Sequence, residues 1–187
     1  MSNKDDIITG NSVYLTGLCT INGYEQDDKF LHISGYGNHF NEKNLNNEIT
    51  DKNSFNEFFS LYNEGKIKPV LNYEHRQDCV IGTIDEITAD NTGLFFRASV
   101  NRDIPFCGEN LIPNIINGVI RNFSTEGIIR GGYDGIVVNP DGSYYVRSFL
   151  LTALAIVSVP ADWKANFSVA NMLRQSEPQK RSKWYLL

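Results

Sequence analysis

The chain has little of what usually marks a metalloprotein, a secreted protein or a membrane protein. Its 187 residues include only three cysteines and three histidines. Cys19, Cys79 and Cys107 are odd in number and show no CxxC spacing, which argues against a disulfide framework and a zinc site. Each has apolar neighbours, as a buried, inert thiol does. His32, His39 and His75 are scattered, without an HExxH or EF-hand pattern, so metal catalysis is not expected and no cofactor is implied. Gly131-Gly132 lacks the Lys-Ser/Thr pair of a phosphate loop. No apolar run approaches the roughly 18 residues that a membrane-spanning helix needs. The start, Met1-Ser2-Asn3-Lys4-Asp5-Asp6, lacks the basic and apolar parts of a secretory signal. Positive charge is also short: 17 Lys and Arg stand against 22 Asp and Glu, a net −5. That balance argues against nucleic acid as the main partner. The basic cluster Lys180-Arg181-Ser182-Lys183 reads as part of a solvated tail.

What is present suits one domain with its own core. Hydrophobic residues make up 41% and charged residues 21%, ordinary for a globular protein. Strand patterns dominate. Residues 13–21 are β-rich and end at the turn signal Asn22-Gly23. Residues 30–37 alternate apolar and polar. A surface excursion over 38–56 follows, rich in Asn but punctuated by Phe40, Leu45 and Ile49. Ser54, with Glu57 three residues on, predicts a capped helix carrying Phe55, Phe58, Phe59 and Tyr62 as a core stripe and closed by Gly65. Residues 67–73 form a strand that delivers His75. Residues 79–87 and 94–100 pair through the turn Asp90-Asn91-Thr92-Gly93. Residues 108–117 read as a helix shortened or kinked by Pro113. Residues 119–129 are a strand carrying Ser124. Asn139-Pro140-Asp141-Gly142 predicts a hairpin between 136–138 and 144–146. The apolar run 149–159 fits a strand buried on both faces. Asp162 caps a last helix over 163–173. The expected architecture is mainly β with flanking helices: a closed or nearly closed antiparallel barrel within residues 1–173, followed by a flexible basic tail over 174–187.

The residues that carry chemistry are Ser124, in Asn122-Phe123-Ser124-Thr125-Glu126-Gly127, and His75, in Asn72-Tyr73-Glu74-His75. A serine hydroxyl is a poor nucleophile near neutral pH and needs a base within hydrogen-bond reach. Brought together across a sheet, the two make the minimum for acyl transfer. Taken alone, each has a plain alternative: a strand serine bonded to backbone, and a solvated loop histidine between Glu74 and Arg76.

The order of these pieces resembles the caudovirus prohead protease family, which is distantly similar to the herpesvirus assemblin proteases. The resemblance covers residues 30–165. It starts at Ile33-Ser34-Gly35-Tyr36-Gly37 and continues through the Phe55-Phe58-Phe59 helix to Pro69-Val70-Leu71-Asn72-Tyr73-Glu74-His75, where the family has its catalytic histidine. Ile81-Gly82-Thr83-Ile84 and Asp90-Asn91-Thr92-Gly93-Leu94 follow. Asn117-Gly118-Val119-Ile120-Arg121-Asn122-Phe123-Ser124 resembles the segment of the nucleophilic serine, and Val157-Ser158-Val159-Pro160-Ala161 with Ala165 the closing motif. The resemblance implies an assemblin-type fold and a serine endopeptidase with Ser124 and His75 as its catalytic pair. It implies capsid-protein precursor and scaffold as substrates, with self-association or self-cleavage open to it; the charge balance and the lack of a long apolar run leave no nucleic acid or membrane expected as partner. It also implies work inside the procapsid in the host cytoplasm. One departure stands out. Where the family commonly carries a glutamate as third triad member, this chain has Ala153, and no acid occurs between Gly142 and Ala161. Asp78, Glu126, Asp134 and Asp162 are the candidate substitutes; Glu126, two residues past Ser124, shares its strand face. A degenerate member acting as a non-enzymatic scaffold or assembly factor is the alternative.

Overall fold

The computed structural model describes residues 13–15 and 21–158. Its strands are β1 (Val13–Leu15), β2 (Ile21–Gln26), β3 (Phe30–His39), β4 (Glu48–Ile49), β5 (Val70–Tyr73), β6 (Arg76–Ala89), β7 (Gly93–Asn101), β8 (Asn122–Ile129), β9 (Ile136–Val138), β10 (Tyr144–Val146) and β11 (Phe149–Val157). Two short α-helices, α1 (Asn56–Asn63) and α2 (Ile112–Ile116), lie between them. The main sheet has eight strands in the order β1-β8-β11-β5-β6-β7-β3-β2. A second sheet of three strands has the order β4-β10-β9. The β11–β5 pair is parallel, against the all-antiparallel expectation. The sheet curls into a half-barrel, with β1 and β2 as its edges. Closure into a full barrel is not shown among the described residues.

The curl has local causes. Register shifts interrupt β2–β3, β3–β7, β6–β7, β5–β6 and β8–β11, and each inserted residue bends its strand and tightens the twist. Asn22-Gly23, expected as a turn, lies at one such shift inside β2. The curl brings the inner faces of distant strands together: Phe96 on β7 meets Phe123 on β8 with ring centroids 6.4 Å apart.

The aromatic stripe is core, as its spacing suggests. Phe55 and Phe58 are fully buried, and Phe55 meets Phe149 of β11 edge-on at 5.7 Å. A buried aromatic of this kind contributes about 1.5–3 kcal/mol through removal from water. The cap, however, is Asp51 rather than Ser54. Asp51 accepts from the backbone of Asn53 and Ser54 and starts a 3-10 turn over Lys52–Phe55 that runs into α1. Ser54 is the reciprocal half of that capping box and also donates to the Val146 carbonyl at 2.6 Å. Gly65 follows the helix with φ 71°, the left-handed conformation that ends helices. The expected helix at 108–117 splits into a π-turn, Cys107–Leu111, and α2. Pro113 has no N–H to continue the ladder, so the chain changes its hydrogen-bond register just before it.

Both turn signals hold. Asp90 Oδ1 accepts from Thr92 N and Gly93 N between β6 and β7, and the Asn139–Gly142 segment joins β9 to β10. The helix expected at 163–173, the tail and Cys19 lie outside the described residues. Among the described residues, no helix is long and apolar enough to cross a membrane.

Candidate active site

Three adjacent strands build the site. Ser124 on β8 pairs with Ala155 on β11, which pairs with Asn72 on β5. One step along, Glu126 pairs with Ala153, and Ala153 with Val70. Paired residues share a sheet face, so Ser124, Glu126, Asn72, Ala153 and Ala155 line one surface. The alternate residues Phe123, Leu154, Ile156 and Leu71 face the hydrophobic core. Between Ser124, Glu126 and Asn72 the central strand offers only the methyl groups of Ala153 and Ala155. That low floor lets Asn72 Nδ2 reach across it to Glu126 Oε2, 3.5 Å away.

His75 arrives from a tight turn. Tyr73 pairs with Arg76, leaving Glu74-His75 as a two-residue hairpin loop. Both have left-handed backbones, φ 51° and 57°, as a type I′ turn requires. Neither is Gly, and only His is at all common in that region, so the loop carries strain of order 1 kcal/mol or more. Glu74 fastens the turn to the end of β11: its N–H donates to the Ile156 carbonyl at 3.0 Å, and its Oε1 accepts from Ser158 N at 2.6 Å. The imidazole is thereby held over the trough, close to Ser124.

The histidine meets a carboxylate there. His75 Nδ1 lies 3.6 Å from Glu126 Oε2, with side chains 18% and 2% exposed. Gln77 Nε2 donates to Glu126 Oε1 at 3.4 Å, and the Thr152 hydroxyl donates to the Glu126 backbone carbonyl at 3.2 Å. Burial pushes the His75 pKa below its usual 6.5, while Glu126 and then Glu74 pull it back up. Burial wins, so the imidazole is neutral near pH 7, the form a base requires. Glu126 thus stands on the Nδ1 side of the ring.

Ser124 is 1% exposed. Its Oγ has no hydrogen-bond partner among the described residues, and the same holds for Asn72 Oδ1 and Asn122 Oδ1. All three residues sit on the trough face. Buried polar atoms are nearly always paired, so such orphans call for an explanation; among the described residues they also occur away from the trough, at His39 Nδ1 and Arg102 Nε.

A sequence profile of the family described as caudovirus prohead serine protease matches residues 20–180. The chain belongs to that family. No curated protein matches the sequence. Among solved structures, the bacteriophage T4 capsid assembly protease gp21 is similar, with a TM-score of 0.63 at 17% identity over 80% of this chain and 98% of that one. At that identity the likeness is one of fold. The varicella-zoster virus protease gives a TM-score of 0.42 at 17% identity, over 71% of this chain and 60% of that one.

In this prohead protease family member the other expected acids fall away from the trough. Asp78 is exposed and paired with Arg76 at 3.1 Å. Asp134 is exposed, in a 3-10 turn beyond β8. Gly131 and Gly132 lie in the same turn, seven and eight residues past Ser124. Asp162 lies outside the described residues. His32 belongs to a surface network, with Nδ1 2.8 Å from Ser99 Oγ and Nε2 3.2 Å from Asp27 Oδ2. Among the described residues, no cluster of three or more His, Cys, Asp or Glu is placed to hold a metal ion. Sequence reasoning missed Asn72 and Gln77 as neighbours of the acid; both are legible only once β5 is set beside β11.

Proposed function

We propose that this chain is a prohead maturation endopeptidase in which Ser124 is the nucleophile and His75 its base. The observation that carries the reading is the trough: a buried serine whose Oγ has no partner among the described residues and a neutral, turn-held histidine, close together over one face of three adjacent strands. In the forward step Ser124 Oγ attacks the scissile carbonyl carbon and its proton passes to His75 Nε2. The tetrahedral intermediate collapses, the C–N bond breaks, and His75 returns the proton to the leaving amine. Water, deprotonated by His75, then attacks the acyl ester, releasing the new carboxyl terminus and restoring Ser124. A positioned base of this kind is worth about 10²- to 10⁴-fold in rate.

Family membership and the fold shared with a capsid assembly protease support capsid-protein precursor as substrate. The finer reading adds scaffold segments and the chain itself as substrates, with cleavage inside the procapsid of an infected host cell.

A second reading has one specific observation behind it. Ala153 stands where the family commonly has an acid, as expected of a degenerate member that assembles capsids without cutting. A fluorophosphonate separates the two. It reacts with an activated serine by forming an O–P bond and expelling fluoride. The protease reading expects a single adduct, mapped by peptide mass to Ser124, absent in Ser124→Ala and strongly slowed in His75→Ala. An unlabelled wild-type protein, folded by circular dichroism, refutes that reading in favour of the assembly factor.

A further inference from the structure

We propose that Glu126 is the carboxylate that positions His75, supplied from the serine's own strand directly across from Ala153. The inference rests on the Ser124–His75 reading and adds the group that completes it.

Four observations lead there. First, Glu126 Oε2 lies 3.6 Å from His75 Nδ1, the nitrogen that an orienting acid must hold if Nε2 is to serve the serine. Second, the side chain is 2% exposed and faces a neutral imidazole, and among the described residues no lysine or arginine forms an ion pair with it. A buried carboxylate without a lysine or arginine is costly to keep, and its presence calls for a use. Third, both carboxylate oxygens are steered by neutral amides, Oε2 by Asn72 and Oε1 by Gln77, while Thr152 holds the backbone carbonyl. The group is thus fixed in direction without losing its charge to a competing cation. Fourth, Glu126 and Ala153 are cross-strand partners on the same face. Side chains so paired start about 5 Å apart. A carboxylate rooted on either strand enters the same volume beside Nδ1, and a bulkier residue at 153 would crowd the one from 126. The alanine is therefore the complement of Glu126 rather than a sign of lost function.

The competing explanation is structural: Glu126 as a tie between β8 and β5 through Asn72, with no bearing on the histidine. Rates of fluorophosphonate labelling against pH distinguish the two, because labelling needs no knowledge of the cleavage site. Among the described residues Glu126 and Glu74 are the charged groups acting on His75, and both favour its protonated form. Removing the charge of Glu126 lowers the histidine's pKa, so the acid limb of the labelling rate moves to lower pH. Misorientation of the ring also lowers the plateau. The expectation for Glu126→Gln is a plateau down about 10²- to 10⁴-fold together with that downward displacement of the limb. For Glu126→Ala/Ala153→Glu it is a rate at least tenfold above Glu126→Ala alone, as the carboxylate returns from the facing strand.

A Glu126→Gln protein that labels at the wild-type rate, or that slows with its acid limb unmoved, overturns the inference while leaving Ser124 and His75 in place. If Glu126→Gln does not fold, the exchanged pair decides, and failure to exceed Glu126→Ala overturns it. Absence of labelling in wild type is a different failure, that of the Ser124–His75 reading itself.

Discussion

Gly82→Ala is expected to damage the site from the opposite side of the hairpin that carries it. Gly82 sits on β6 between two neighbours, paired with Leu71 on β5 and with Val100 on β7. A Cβ there would stand 1.9 Å from the carbonyl oxygen of Ser99 and 2.9 Å from its carbon, where real Cβ atoms essentially never come within 3.0 Å. The obstruction is backbone, with no rotamer to yield. The β6–β7 pair must therefore part by about 1 Å, at an overpacking cost of about 1–3 kcal/mol. For a domain of this size that is roughly 2–12 °C in Tm. β5 is bonded to the displaced strand and ends in the turn bearing His75, so the imidazole moves with it. A displacement of about 1 Å at a reacting group costs on the order of 10² in rate. Urea denaturation measures the first effect and fluorophosphonate labelling of the folded protein the second. A Gly82→Ala protein within 0.5 kcal/mol of wild type, labelling at the wild-type rate, would refute the argument that β6 backbone packing positions the histidine.

Other outcomes follow from the same geometry. The labelling rate of wild type should fall only below about pH 6.5, because burial lowers the His75 pKa and the base is lost when it protonates; a pH profile with its midpoint above 6.5 contradicts this. Ala155→Leu should fill the floor between Ser124 and Asn72, costing about 1–3 kcal/mol and abolishing labelling; a reactive Ala155→Leu protein would mean that the trough is not the working surface. Ser54→Ala should cost about 1–2 kcal/mol, by removing half a capping box and stranding the Val146 carbonyl, with labelling of the folded protein unchanged; chemical denaturation and labelling check the two halves separately.

Much of the sheet was legible because its signals are local. Asp90-Asn91-Thr92-Gly93 and Asn139-Pro140-Asp141-Gly142 make their turns from their own side chains, and the Phe55–Tyr62 spacing has one natural burial face. Features set by pairing between distant strands were not legible. Nothing in Asn22-Gly23 says that a strand runs through it, since the bulge there depends on β3. Glu74-His75 is a poor turn sequence, and it adopts a type I′ loop because β5 and β6 are pinned on either side. Alternation alone placed Glu126 on the face of Ser124. That it meets His75 depends on the register of β8 against β11 and β11 against β5. Ala153, conspicuous in the sequence as a missing acid, becomes intelligible only as the residue opposite Glu126. A curled sheet was legible but its closure was not, because strand count does not determine whether two edges meet.

The most direct test of the central claim is the intact mass of a phage capsid-protein precursor after co-expression with wild type or with Ser124→Ala. The expected result is discrete fragments with wild type and an uncut precursor with Ser124→Ala, both proteins being folded. Equal masses in the two, or equal cutting by both, would contradict the assignment of Ser124 as the nucleophile of a capsid maturation protease.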